Sequence, residues 1–148
     1  MRRISKSKIS QYAFIGHDYT KRGGRKSKFR QTISIALKNS SYEPLYADTS
    51  RLDQIVLKDI IKKIRNSKLC IFDLTGYKKK DKLDKNLNVI LELGISIGLE
   101  KQVFIAYREG SIDFDKEMSD LLGQYRYPYK TYKGLKSDLI SFMENFGK

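Results

Sequence analysis

Short apolar runs and helically spaced apolar residues take turns along this chain. Tyr12-Ala13-Phe14-Ile15 is unbroken and ends at Gly16, the pattern of a buried strand. From Lys26 to Lys38, Phe29, Ile33, Ala36 and Leu37 keep the three- and four-residue spacing of an amphipathic helix. Glu43-Pro44-Leu45-Tyr46 reads as a weaker strand, whose proline suits only its first residues. Leu52 to Ser67 predicts a second helix, with Leu52, Ile55, Val56, Ile60 and Ile64 on one face. A fully apolar strand follows, Leu69 to Phe72, ending at Asp73. The loop from Thr75 to Leu87 is rich in lysine and aspartate, and its length predicts a functional or mobile segment. Val89 to Leu99 predicts a helix apolar nearly all round, and Gln102 to Tyr107 a third strong strand. Phe114 to Leu122 reads as a short helix and Arg126 to Tyr129 as an edge strand. Leu135 to Phe146, with Leu139, Met143 and Phe146 aligned, closes the chain as a helix.

Strands that alternate with helices and carry continuous apolar runs indicate a parallel sheet covered on both faces. The fold class expected is therefore α/β, a single three-layer domain around a roughly five-stranded parallel sheet, of flavodoxin-like or TIR-like architecture. Residues 1–10 read as a basic tail and 11–148 as the domain. Folds of this kind bind ligands beyond the carboxyl ends of their strands. Those ends are Gly16-His17-Asp18, Asp48-Thr49, Asp73-Leu74-Thr75-Gly76 and Tyr107-Arg108-Glu109.

The helix after the third strand is the most informative segment. Asn88 is its predicted N-cap, and Glu92 is the only charged residue before Glu100. A carboxylate in so apolar a helix is costly to bury unless it is paired or used. Asn88, Glu92 and Ser96 recur every four residues as one polar stripe, and Glu92 leans back toward the sheet's carboxyl edge. The helix dipole there favours its ionised form. Gly94 and Gly98 predict a groove for close packing, as in a buried central helix. Two readings of Glu92 stand at this point: a group that does chemistry, or one half of a salt bridge. Asp73 strengthens the first, because two carboxylates at one cleft can divide acid, base and sugar-binding roles. Thr75-Gly76 and Gly23-Gly24-Arg25 are weaker signals for phosphate contacts and match no P-loop or dinucleotide fingerprint.

Composition narrows the chemistry. The 148 residues include one cysteine and one histidine, so an internal disulfide is ruled out and a metal site is disfavoured. Cys70 lies inside an apolar run and reads as a small buried hydrophobe. No apolar stretch of signal-peptide length follows the basic start, and no run is long enough to span a membrane. The expectation is a cytoplasmic protein without membrane contact. The net charge of +13 suits an anionic partner, yet the lysines and arginines are spread widely, which also fits a solvated surface. Nucleic acid is a partner the charge allows and no motif favours.

Ile71-Phe72-Asp73-Leu74-Thr75-Gly76, then Asn88-Val89-Ile90-Leu91-Glu92-Leu93-Gly94 and Lys101-Gln102-Val103-Phe104, resemble the nucleoside 2-deoxyribosyltransferase-like superfamily. That group is similar in fold and site to the TIR-domain NAD-cleaving enzymes. The resemblance implies N-glycosidic chemistry, with Glu92 attacking the anomeric carbon or engaging the ribose. Both routes pass through an oxocarbenium-like state that a carboxylate stabilises. Asp73 would then contact sugar hydroxyls or manage a proton. Phe14, Gly16 and His17 would form the floor and rim beside the base, and Arg108 would reach a phosphate. Asp48, Thr75 and Asn88 complete the expected substrate contacts. The basic loop from Thr75 to Leu87 suits a phosphorylated substrate. The activity implied first is cleavage of NAD at the nicotinamide–ribose bond, in the manner of antiphage TIR-like enzymes. Alternatives are a nucleoside or nucleotide deoxyribosyltransferase or hydrolase, and a non-catalytic module for a nucleotide signal or nucleic acid. NAD would be substrate, with no other cofactor. TIR-like kinship also implies a homo-oligomer and an activating partner or signal.

Overall fold

The computed structural model describes residues 11–17, 27–47, 56–75, 77–79, 82–84, 87–121 and 123–146. Strand β1 (Gln11–Gly16) leads to helix α1 (Lys28–Leu37) and strand β2 (Tyr42–Tyr46). Helix α2 (Val56–Arg65) and strand β3 (Ser67–Asp73) follow. A small hairpin, β4 (Tyr77–Lys79) with β5 (Lys82–Asp84), precedes helix α3 (Leu87–Gly98). The chain ends with β6 (Gln102–Arg108), α4 (Phe114–Glu117), a 3-10 turn (Ser119–Leu121), β7 (Arg126–Tyr129) and α5 (Tyr132–Phe146).

The main sheet has five strands in the order β2-β1-β3-β6-β7, and every pairing in it is parallel. The α/β class and the five-stranded parallel sheet predicted from the apolar runs are therefore observed. Because side chains alternate across a strand, each strand feeds two cores. Ala13, Ile15, Leu69, Ile71, Phe104, Ala106 and Tyr129 face α1 and α5, meeting Phe29, Ile33, Leu37, Leu135 and Leu139. Phe14, Cys70, Phe72, Val103, Ile105 and Tyr107 face the other way, onto Ile60, Ile64, Val89, Leu93 and Phe114.

From β1 the sheet grows toward β2 on one side and toward β3 on the other. Such a reversal leaves a crevice at the carboxyl ends of the two central strands. Here those ends are Gly16, aligned with Phe72, and Asp73 one residue further.

Several boundaries differ from the sequence reading. Pro44 sits in the middle of β2, opposite Ala13, and Pro128 sits within β7 opposite Tyr107. Both prolines of the chain thus occupy the sheet's two edge strands, where a missing N–H breaks no second ladder. Ser67 begins β3 instead of ending α2, since it pairs with Tyr12, just before a shift of register between Tyr12 and Ala13. The stretch after Thr75 is not loop throughout, because Tyr77 to Lys79 pairs antiparallel with Lys82 to Asp84. Phe114 to Leu122 divides into one α-turn and one 3-10 turn. Leu122 lies outside the described residues, as do the tail 1–10 and Gly23-Gly24-Arg25.

Helix α3 is not buried all round. Val89, Glu92, Leu93 and Ser96 are buried, whereas Leu87 and Leu91 stand exposed. The two glycines face outward, and a Cβ on either would meet nothing within 4 Å, so they pack no neighbour closely. The helix ends on a left-handed residue, Glu100 (φ 57°), with Lys101 N–H donating to the Ser96 carbonyl and Glu100 N–H to that of Ile97. That cap fixes how α3 turns into β6.

Candidate active site

Glu92 lies on the inward face of α3, between Val89 and Ser96, and is 6% exposed. Ser96 donates its hydroxyl to the Glu92 backbone carbonyl and leaves the carboxyl group for the sheet edge. The carboxyl meets the end of β1. A Cβ built on Gly16 would lie 2.8 Å from Glu92 Oε2, and 2.5 and 2.7 Å from two ring carbons of Phe72. Only glycine fits there, because Phe72 is itself fully buried and has nowhere to withdraw. Loss of water from this contact pushes the Glu92 carboxyl up from 4.5 to about 7. The expected influence of the helix dipole, toward the ionised form, is outweighed by desolvation.

Asp73 does something different. Its position in β3 pairs with Ala106 and belongs to the α1–α5 side of the sheet, opposite the side from which Glu92 arrives. Asp73 Oδ1 accepts from the Thr75 backbone N–H at 3.0 Å and also from the Thr75 hydroxyl. Asp73 Oδ2 accepts from the Tyr129 hydroxyl at 3.2 Å. Thr75 Oγ1 in turn accepts from the Arg108 backbone N–H at 2.9 Å and lies 3.3 Å from Tyr129 Oη. This network ties together the carboxyl ends of β3, β6 and β7. Asp73 thus organises the edge from the α1–α5 side through Thr75 and Tyr129, and it also lines a crevice shared with Val89 and Ile90 of α3. Thr75, expected at a phosphate, has its hydroxyl inside the same network.

Arg108 ends β6 beside that network. Its Nη2 donates to Tyr132 Oη at 2.9 Å, and its guanidinium lies 5.3 Å from the Tyr132 ring centre and 5.7 Å from that of Tyr129. The group is half-buried and held by two aromatic faces, which orients its positive charge at the edge. A narrow crevice next to it, toward α3, is lined by Asp73, Thr75, Val89, Ile90, Ile112 and Met118.

His17 closes β1. Its Nε2 accepts from Arg30 Nε at 3.1 Å, and its ring packs against Phe29 and edge-on to Tyr46. Arg30 reaches the same place from the first turn of α1, where Ser27 Oγ accepts its backbone N–H at 3.1 Å. Its guanidinium stacks on Tyr46 at 3.8 Å.

The structure thus brings Gly16, His17, Glu92, Asp73, Thr75 and Arg108 to one sheet edge. Phe14 is not a cleft floor: it is fully buried and packs 6.0 Å from Phe72, beneath the site. Asn88 is not the N-cap, because α3 already starts at Leu87, and its side chain is exposed. Asp48 lies outside the described residues. Sequence reasoning missed Tyr129, Tyr132, Tyr46 and Arg30. Arg30 carried a signal, since it lies three residues before Ile33 on the apolar stripe and so had to point inward. Among the described residues no three His, Cys, Asp or Glu side chains gather as a metal-ligand set.

No protein-family model matches the chain, and no curated protein matches it by sequence. Solved structures do match. A CMP N-glycosidase of Clostridium botulinum, BcmB, superposes with a TM-score of 0.63 at 12% identity, covering 87% of this chain and 98% of that one. A 2-desoxiribosyltransferase of Leishmania mexicana gives a TM-score of 0.57 at 16% identity, covering 72% of this chain and 70% of that one. The fold is the nucleoside deoxyribosyltransferase-like one. Neither of these two structures is described as a TIR domain, and the deoxyribosyltransferase-like half of the sequence resemblance is the half that they share.

Burial of Glu92 has a measurable cost. The folded protein holds the Glu92 proton more tightly than the unfolded chain does. Stability from that proton is whole below about pH 4.5 and is lost as pH rises to about 7. The full loss is about 3 kcal/mol. Denaturant unfolding of Glu92→Gln should match the wild type at low pH and become the more stable of the two as pH rises to 8. A wild type that gains on the variant over that range would contradict the burial argument. Gly16→Ala should cost about 1–3 kcal/mol by overpacking against Phe72, read from the same unfolding curves. A neutral substitution would show that the contact is slack.

Proposed function

We propose that this protein cleaves or transfers at the bond between base and sugar of a nucleoside 5′-phosphate, with Glu92 as the group at the anomeric carbon. One observation carries the reading: a desolvated carboxyl fixed against the end of β1, at the switch point of a nucleoside deoxyribosyltransferase-like fold. The BcmB structure, which shares that fold over most of both chains, supports a nucleotide as substrate.

The chemistry follows from the geometry. As the bond from C1′ to the base nitrogen lengthens, its electron pair leaves with the base and C1′ takes on positive charge. An ionised Glu92 in a dry setting stabilises that charge far better than water would, or adds to C1′ as a transient ester. Water or a second base then completes hydrolysis or transfer. Since ionised Glu92 is the active form, kcat/KM should rise with pH through about 7 and level off above it. Arg108, poised on Tyr129 and Tyr132, is the group assigned to the phosphate. Asp73, with Thr75 and Tyr129, holds the strand ends that carry both.

NAD cleavage and a defence role remain the finer expectations of the TIR-like resemblance and rest on it alone. Self-association belongs to the same reading, and the exposed Leu87 and Leu91 on α3 supply an apolar strip for it.

The test is chromatography with mass detection after incubating wild type and Glu92→Gln with CMP, dCMP, the other nucleoside monophosphates, free nucleosides and NAD. Wild type should release free base from a monophosphate, and Glu92→Gln should be slower by about 100-fold or more. Release of nicotinamide alone would move the substrate to the dinucleotide. Intact substrates throughout, or equal rates for both proteins, would overturn the assignment.

A further inference from the structure

Helix α3 carries a surface that nothing among the described residues covers. Its exposed positions are Leu87, Asn88, Leu91, Gly94 and Gly98. Leu87, Leu91, Gly94 and Gly98 are spaced four, three and four apart, the seam of a helix that packs along another helix. Leu87 is 75% exposed and Leu91 54%, while Val89, Glu92, Leu93 and Ser96 point the other way, into the protein. The seam bears no charge, in a chain whose net charge is +13. Its glycines add a separate observation. Glycine is the poorest helix former after proline, so two of them inside α3 weaken it. Neither has a positive φ, and a Cβ on either would meet nothing within 4 Å. No contact or backbone conformation within the described chain calls for glycine at these positions.

The order of sizes along the seam identifies what covers it. Both leucines lie in its first half and both glycines in its second. Turned about a two-fold axis between residues 92 and 93, the seam meets itself with Leu91 opposite Gly94 and Leu87 opposite Gly98. Each large side chain then faces a gap. We propose that this protein forms a two-fold dimer in which α3 packs antiparallel on the α3 of a second copy, leucines seated in glycine notches. A parallel pair would set leucine against leucine and leave the glycines facing each other across a void. An unrelated apolar partner would give no reason for a sequence of sizes that complements its own reverse. The uncharged seam also lets two strongly basic copies meet where like charges are absent. Ile90 and Ile97 are half-buried on one flank of the seam, so Ile90 comes beside Ile97 of the partner subunit. Ile90 also lines the crevice with Asp73 and Thr75, and the second copy therefore backs one wall of the candidate site. The self-association named above thereby gains a surface, a symmetry and a register. It rests on α3 and not on the nucleotide reading.

The experiment begins with the full chain in analytical ultracentrifugation over a wide range of concentration. Wild type should sediment as a dimer that dissociates on dilution. Gly98→Leu fills the notch, and its dissociation constant should rise about tenfold or more. That variant stays folded, because the added side chain points into open space in its own chain. Adding Leu87→Ala to Gly98→Leu exchanges large and small within one layer and should recover most of the loss. A face that is merely sticky would associate more strongly in Gly98→Leu, since its apolar area grows. That result, a double variant without recovery, or a wild type that is a single chain at every concentration would overturn the interface. Base release by the same proteins is read separately and bears only on the nucleotide reading.

Direction and register are read by cysteine pairing. Leu87→Cys and Gly98→Cys, prepared as separate proteins and mixed under oxidising conditions, should form a disulfide-linked pair; the native Cys70 is fully buried. Neither variant alone should form one. Like positions in the antiparallel pair lie a whole helix apart, about 16 Å, which is too far for a disulfide. A disulfide in Leu87→Cys alone would show a parallel pair and overturn the proposal, as would a mixture that forms none.

Discussion

Where β1 ends the chain has no side chain, and a carboxyl group from another layer occupies the space a Cβ would need. The close approach of Gly16, Phe72 and Glu92 sets the rest of the site. It brings a helical glutamate through to the sheet's carboxyl edge, and it removes water from that glutamate at the same time. Desolvation alone raises the carboxyl pKa to about 7, so its charge is available only from about neutral pH upward and is strongly felt when present. A protein that only needed a stable core would gain by an apolar residue at position 92.

The two faces of the sheet divide the work. From the α2–α3 side comes the desolvated carboxyl of Glu92, backed by Phe14, Phe72 and Leu93. From the α1–α5 side come groups whose charges and hydrogen bonds are already matched: Asp73 with Thr75 and Tyr129, Arg108 with Tyr132, His17 with Arg30. These pairs fix side chains in place before any substrate arrives, which is what preorganised stabilisation of a charged transition state requires. One face supplies the desolvated carboxyl, and the other supplies a frame of hydrogen-bonded side chains.

Much of this was visible in the sequence because each strand is an unbroken apolar run. Tyr12 to Ile15, Leu69 to Phe72 and Gln102 to Tyr107 could only be buried on both sides, and a parallel sheet with covering helices follows. Glu92 stood out because its helix has no other charge before its cap. What sequence could not show was which side of the sheet each strand end serves. Asp73 and Glu92 both face one edge, and pleat parity brings them to it from opposite sides of the sheet. Tyr129 was out of reach for a related reason: its role depends on β7 lying two places from β3, and no local pattern encodes strand order. The apolar character of α3 misled as well, since Leu87 and Leu91 face outward.

The account depends on the state of one carboxyl group, and that state can be observed directly. Carbon-13 labelling of glutamate, with Glu92→Gln to assign the signal, allows the side-chain carboxyl to be followed by NMR from pH 4 to 9. The structure predicts a midpoint near pH 7 for Glu92, far above the other glutamates. A midpoint close to 4.5 would mean that water or a cation reaches the carboxyl, and the desolvated site described here would not exist.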